Sequence, residues 1–301
     1  MISYLMPKSL KIMNSSEIRK YFLQSCYQEL NTLKPGNLNY NSIIPGMKKK
    51  KFQRAADLSS KILTSRHSIG KSIYLASNKC IMELGQNYNL GIILLCTPII
   101  KNSLKGNFKL KNFKKELKRT LLSIDNEDTN YIIEAIKISR PAGLFNYSSK
   151  GDVNNYKKNS FTLDELAKIS MHFDRISKCF VTAYDEIFQI ALPYFRLEKK
   201  KFSEKIATEK LYIKFLTHDC DSHVKRKLGN YIAEAIKFKS KILMNKLDNC
   251  SKQRFYYLLK QFDHYLKAKY INPGTCADLT VTTLLIDKIT DIVRYSNFNI
   301  Y

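Results

Sequence analysis

Apolar residues in this chain recur at three- and four-residue spacing, and almost nowhere at every second position. That is the period of a helix, and almost no segment shows the alternation of a half-buried strand. The clearest run is Leu166, Ile169, Phe173, Ile176, Phe180, Tyr184, Ile187 and Ala191, placed after a capping box at Thr162-Leu163-Asp164-Glu165. The pattern predicts one helix that ends at Pro193. Asp174 and Asp185, eleven apart, would share one flank of it, as ordinary surface acids or as the lining of a cleft between helices. Tight turns are few, with 10 glycines and 7 prolines in 301 residues, and 44% hydrophobic residues suffice for a sizeable core. The expected fold is all-α: a single-domain multi-helix bundle over 1–301 whose functional loops converge on one cleft.

Other helices follow from the same reasoning. Ser15 or Ser16 should cap a first helix bearing Ile18, Phe22 and Cys26 and ending near Leu33. Lys48 to Lys51 reads as a solvated loop, with a helix resuming at Phe52 and running to Leu63. Ile73 to Leu84 is another helix, and the run after Gly91, apolar all round, is a central one. Lys101 to Arg119 reads as a loop and a short surface helix. Asp125 or Asp128 should cap a helix that stops at Arg140, because Pro141 follows. Asp221 or Ser222 should cap a long helix through Val224, Leu228, Tyr231, Ile232, Ala235, Ile236 and Leu243, and Phe255 to Leu266 form one more. Residues 194–217 carry no assignment.

The formal charge of +25 points to acidic partners: nucleic acid, a membrane surface, nucleotides or polyphosphates. Lys, Asn, Ile, Tyr and Phe are abundant and Trp is absent, as AT-rich coding produces, so part of the lysine content is compositional. No basic tract carries the interleaved aromatics of a nucleic-acid platform. Seven scattered cysteines, with no C-x-x-C pair, argue against a disulfide framework and a zinc ribbon; reduced thiols in a cytoplasm are expected. Residues 1–13 make a poor signal peptide, and the longest apolar run, Leu90 to Ile100, is interrupted by Pro98 and too short to span a bilayer. The oligomeric state is left open.

Chemistry is concentrated in punctuated loops. Lys34-Pro35-Gly36-Asn37 sets a turn beside a positive charge and an amide. Gly85 to Gly91 holds Asn87 and Asn89 at the entry of the apolar run. Arg140-Pro141-Ala142-Gly143-Leu144 follows, with Asp152 in the same irregular region. His218-Asp219-Cys220-Asp221-Ser222-His223 is the densest cluster of potential ligands, but it lacks zinc spacing; a hard-metal or phosphate role suits Asp221 and Arg226 better. Asn272-Pro273-Gly274 is a tight turn that delivers backbone N–H groups to a helix start, an anion site in which Thr275 or Asp278 would be the cap. Asp278 in such a mouth is tolerable if a divalent metal bridges it to phosphate.

Taken in order, Lys34-Pro35-Gly36-Asn37, Asn87-x-Asn89-Leu90-Gly91, Arg140-Pro141-x-Gly143-Leu144, Asp152-Val153, Asp221-Ser222-His223-x-x-Arg226-Lys227-x-Gly229 and Asn272-Pro273-Gly274-Thr275-x-Ala277-Asp278-Leu279-Thr280 resemble the triphosphoribosyl-dephospho-CoA synthase family. The likeness spans roughly residues 30–290 and is closer to the archaeal and methylotroph branch. It implies an all-helical fold and a reaction in which the 2′-hydroxyl of 3′-dephospho-CoA attacks C1′ of the ribose of ATP and adenine leaves. The product is a prosthetic-group precursor. Such a reaction would use Mg²⁺ with ATP. The residue roles matched to it are Asp152, Asp221 and Asp278 for metal, and Lys34, Arg226 and Lys227 for the triphosphate. Asn37, Asn87 and Asn89 suit ribose hydroxyls or the adenine edge, with Arg140, Asn272 and Thr275 as further substrate contacts. Asp221, His223 and Asp278 are the catalytic candidates: a carboxylate to stabilise the oxocarbenium ion, and His223 or an Asp of raised pKa to protonate the leaving base. Lys34, Asn87, Asp221, Arg226 and Asp278 are expected to meet in one cleft.

The chain departs from the family pattern in places. Tyr88 replaces Thr, where its bulk would narrow a substrate pocket. Ala142 and Phe145 stand at expected glycines, and Met47 with the lysine run replaces a His-rich element. Two other readings stay open at this point: a related nucleotide-dependent transferase of one-carbon, pterin-type cofactor metabolism, and a basic helical module that binds RNA or an acidic protein.

Overall fold

The computed structural model describes residues 13–39, 47–105, 112–143, 152–248 and 250–298, with side chains through residue 290. Among these residues the protein is all-α. The helices are α1 (Ser15–Leu30), α2 (Lys49–Leu63), α3 (Ile69–Leu84), α4 (Leu90–Leu104), α5 (Phe113–Leu122), α6 (Asn126–Ser139) and α7 (Leu163–Ser170). They continue with α8 (Arg175–Thr182), α9 (Leu192–Lys201), α10 (Glu204–His218), α11 (Ser222–Leu228), α12 (Asn230–Leu247), α13 (Lys252–Ala268) and α14 (Gly274–Phe298).

Burial explains the arrangement. α4 is apolar all round, and nearly every one of its side chains is buried. It packs on α14, which also touches α1 and α10. Each Leu or Ile removed from water here contributes roughly 1.5–3 kcal/mol before entropy is counted. That gain holds α4 helical through Pro98, although Pro98 has no N–H to donate to the Leu94 carbonyl. α3 packs on α2 and α6, and α10 packs on α9, α12 and α14.

The ends show where local chemistry decides. Asn14, not Ser15 or Ser16, caps α1, in a capping box with Glu17. α1 stops at Leu30, before the expected Leu33. α2 begins at Lys49, so most of the lysine run is helical, and Lys51 donates to the Leu84 carbonyl at 2.9 Å. Asp125 caps α6 and Thr162 caps α7, as their spacing requires.

The single helix expected from residue 163 to 191 is three pieces. α7 ends at Ser170, and Asp174 starts α8 as its N-cap. Ala183 and Tyr184 then take left-handed φ values of 49° and 62°, before a π-helical turn at Ile187–Ala191 runs into α9. Tyr184 is wholly buried, and its hydroxyl donates to the Leu95 carbonyl of α4 at 2.8 Å, a contact that a straight helix need not provide. Pro193 does not end the run; it sits in the first turn of α9, where its missing N–H costs nothing. The expected long helix after Asp221 also breaks, at Gly229 with φ +90°. Tyr231, expected inward, is therefore exposed on α12 and Ala233 is buried in its place, while Ile236 and Leu243 face the core as expected.

Candidate active site

A cleft of about 400 Å³ opens where the first turns of α4, α8, α11 and α14 meet. Its polar end is formed by Asn87, Asp174, His223, Arg226, Thr275 and Asp278. Its long wall is apolar, with Ile132 and Ile136 from α6, Leu166 from α7, and Phe173, Ile176 and Phe180 around α8.

Asp278 lies at the floor, one turn into α14. Its carboxylate accepts no hydrogen bond among the described residues, while its backbone carbonyl takes the Thr282 hydroxyl at 2.7 Å. Burial pushes this carboxyl well above the usual carboxylate range. Glu29 and Asp221 push the same way, and Lys34 and Arg226 oppose them. Gly91 makes room for it: a Cβ at that position would stand 2.0 Å from Asp278 Oδ2. The glycine of the Asn-x-Asn-Leu-Gly stretch is therefore there for the carboxylate.

Asp221 sits behind the cleft and binds two helix starts at once. Its Oδ1 accepts from Val224 N at 2.9 Å as the N-cap of α11, and its Oδ2 accepts from Cys276 N at 2.8 Å in the first turn of α14. Neither Thr275 nor Asp278 caps α14; Asp221 does, from another helix. Thr275 instead accepts from the His223 backbone N–H at 3.2 Å. Burial lowers the His223 pKa, with Arg226 and Lys227 adding to the effect against Asp221, so the imidazole is neutral near pH 7.

Lys34 is fully buried behind Asp278 in an ion pair with Glu29, and its ammonium also reaches Asn37 Oδ1 at 3.3 Å. Burial pulls the Lys34 pKa down and pushes that of Glu29 up. Asn37 Nδ2 donates to Asn272 Oδ1 at 2.7 Å, which ties the Lys34–Asn37 turn to the turn before α14. Gly36, at φ +79°, donates its N–H to Asp263 at 2.8 Å, and a Cβ there would meet the Ile271 carbonyl at 2.7 Å. Lys34, Asn37 and Asn272 thus form the support beneath the cleft and are not among its lining.

The other expected contacts divide between the cleft and its surroundings. Asn87 lines the cleft, its side-chain Oδ1 accepting from Leu90 N at 3.0 Å. Asn89 is buried against α2 and donates to Ser59 Oγ at 3.2 Å. Arg140 and Lys227 are exposed and outside the lining, although Pro141 and Gly143 are within it. Tyr88 does not narrow the pocket; it packs in a satellite core with Ala55, Cys80 and Leu84. Ala142 is exposed, and Leu144 and Phe145 lie outside the described residues.

The three carboxylates matched to a metal do not form one site. Asp152 caps a short 3₁₀ turn, holding Asn154 and Asn155 with both oxygens, as Asp221 spends both of its own on backbone N–H groups. No group of three or more His, Cys, Asp or Glu that could hold a metal exists among the described residues. A Mg²⁺ carried on ATP needs fewer protein ligands, because phosphates and water fill most of its shell.

The sequence reading missed the apolar wall of α6 to α8 and the part played by Arg175. That guanidinium is buried in an ion pair with Glu186. It also donates to the Phe215 and Asp219 carbonyls, each at 3.2 Å, while its backbone N–H reaches Ser222 Oγ at 2.7 Å. It fixes the start of α8 against α10, α11 and α14. The available signal was the Asp-Arg pair interrupting an apolar period.

An all-helical protein with a buried carboxyl group, an imidazole and an arginine at one end of an apolar cleft is built as an enzyme acting on an anionic substrate. The chain belongs to the family described as CitG: ATP:dephospho-CoA triphosphoribosyl transferase, whose model matches residues 15–296. It is a pentosyl-type transferase that moves the triphosphoribosyl group of ATP to dephospho-CoA. A crystal structure from Archaeoglobus fulgidus, provisionally described as a triphosphoribosyl-dephospho-CoA synthase, shares the fold. It has a TM-score of 0.60 at 19% identity over 79% of this chain and 98% of that one. The search of curated proteins gave no match. No helix among the described residues is long and apolar enough to cross a membrane.

Proposed function

We propose that the transfer takes place in the cleft above Asp278, with Asp278 as the acid and His223 as the base. The observation that carries this reading is that Asp278 and His223 line the same polar end of the cleft, where burial pushes the Asp278 carboxyl well above the usual carboxylate range and pulls the His223 imidazole below its ordinary value. As the C1′–N9 bond of ATP breaks, its electron pair leaves with adenine, and Asp278 gives a proton to a ring nitrogen of the departing base. The resulting carboxylate then faces the cationic ribose that it helped to create. The 2′-hydroxyl of 3′-dephospho-CoA attacks C1′ and passes its proton to His223. Arg226, at the polar end of the cleft, receives the triphosphate, which brings Mg²⁺ as part of the substrate. Seven unpaired thiols suit a reducing cytoplasm.

The test is free adenine, followed chromatographically after incubation with MgATP, with and without 3′-dephospho-CoA. Adenine should form only when dephospho-CoA is present. Equal adenine in both tubes would mean hydrolysis of ATP and a different acceptor, and none in either from folded protein would remove the assignment.

A further inference from the structure

Asp174 has no role in the chemistry described so far, yet it faces the polar end of the cleft. Its Oδ1 accepts from Arg226 Nη1 at 2.7 Å. Its Oδ2 is fixed in turn by Ser177 N at 2.9 Å and Ser177 Oγ at 3.0 Å, as the N-cap of α8. Arg175, the next residue, is immobilised by its bonds to Glu186 and Ser222. Asp174 is therefore a rigid acceptor, while Arg226 lies on a different helix, α11. Gly143 closes over the Arg226 backbone so tightly that a Cβ there would meet the Arg226 carbonyl at 2.7 Å. Backbone and one guanidinium nitrogen are thus both held. Arg226 Nε, by contrast, is buried without an acceptor. A buried cationic N–H left unmatched is rare and costly unless something supplies an oxygen.

We infer that Asp174 is a positioning residue: it holds Arg226 by one nitrogen so that the rest of the guanidinium is presented to a polyphosphate oxygen in the cleft. This rests on the reading of Arg226 as a triphosphate contact. A guanidinium pinned at one nitrogen loses less freedom when it closes on an anion, and its planar fork is already oriented.

The experiment is calorimetric titration of the full-length protein with inorganic triphosphate, for wild type, Asp174→Asn, Arg226→Met, Arg226→Lys and the Asp174→Asn/Arg226→Met double variant. Asparagine keeps the N-cap of α8, so the thermal midpoint of Asp174→Asn should match wild type, whereas Asp174→Ala also loses the cap. The inference expects Asp174→Asn to weaken triphosphate binding about tenfold, as loss of an orienting partner typically does. It also expects no further loss from Asp174→Asn in the Arg226→Met background, and a raised KM for ATP with kcat little changed. If Arg226→Met and Arg226→Lys weaken binding while Asp174→Asn binds as tightly as wild type or tighter, the positioning role is wrong and the Arg226 contact stands. If neither Arg226 variant weakens binding, the Arg226 contact is wrong and this inference falls with it.

Discussion

At the scale of single residues, the site depends on Asp278 being held against its own preference. A carboxyl whose folded pKa lies above its unfolded value binds its proton more tightly in the folded state. Stability from this group is greatest below the unfolded pKa and declines as pH rises toward the folded one. At neutral pH the group therefore costs the fold free energy, and Asp278→Asn should raise the thermal midpoint, by about 1.5 °C for each kcal/mol regained at this chain length. The gain should shrink near pH 4; a midpoint that falls at pH 7.5 would show that the carboxylate stabilises the fold. The same two groups set a pH profile. Activity should rise on an acid limb below the ordinary imidazole range, as His223 loses its proton, and fall at higher pH as Asp278 loses its own. In kcat/KM measured by adenine release, His223→Gln should abolish the acid limb; an unchanged limb would assign it to another group.

At the scale of elements, the cleft exists because helix starts are pinned to one another. Gly91 admits Asp278 to the first turn of α4, and a methyl group there would displace the carboxylate. Gly91→Ala should cut turnover about a hundredfold, the cost of misplacing a reacting group by about an ångström, while circular dichroism stays helical. Activity within twofold of wild type would show that Asp278 need not sit where it does. Much at this scale was legible in the sequence. Asp125, Thr162 and Asp221 cap the helices their spacing announces, and the glycine-punctuated loops do meet. What was not legible is set by long-range contacts. The period from Leu166 to Ala191 is continuous, yet Asp174 leaves it to cap α8 and bind Arg226, and Tyr184 turns toward Leu95; Arg226 and Leu95 are distant in sequence. Tyr88 and Asn89 point away from the cleft because α2 and α3 offer them burial and Ser59. α10 is hard to read from the sequence although Ser203 caps it, because buried Glu209 and Lys210 interrupt its apolar pattern. Those charges make sense only with Glu209 accepting from Leu33 N and Lys210 facing Glu198.

At the scale of the whole molecule, one contiguous set of buried side chains runs from Met13 to Ile289 and carries the cleft on its edge. Around it lies a net charge of +25. Self-repulsion of that size is screened within about 8 Å at physiological ionic strength. The thermal midpoint should therefore rise when sodium chloride is increased from about 10 mM to about 300 mM; a midpoint that falls would mean that exposed ion pairs outweigh the repulsion. The same field favours polyanionic substrates, so KM for MgATP should rise with salt even as stability improves.

The central claim is that Asp278 in this cleft releases adenine from ATP for transfer to dephospho-CoA. The most direct measurement is adenine formation by Asp278→Asn beside wild type, with MgATP and 3′-dephospho-CoA at saturation, on protein whose helical spectrum is intact. The account predicts a loss of at least about 10²-fold, as expected when a positioned proton donor is removed. Adenine formed at the wild-type rate by the folded variant would contradict it.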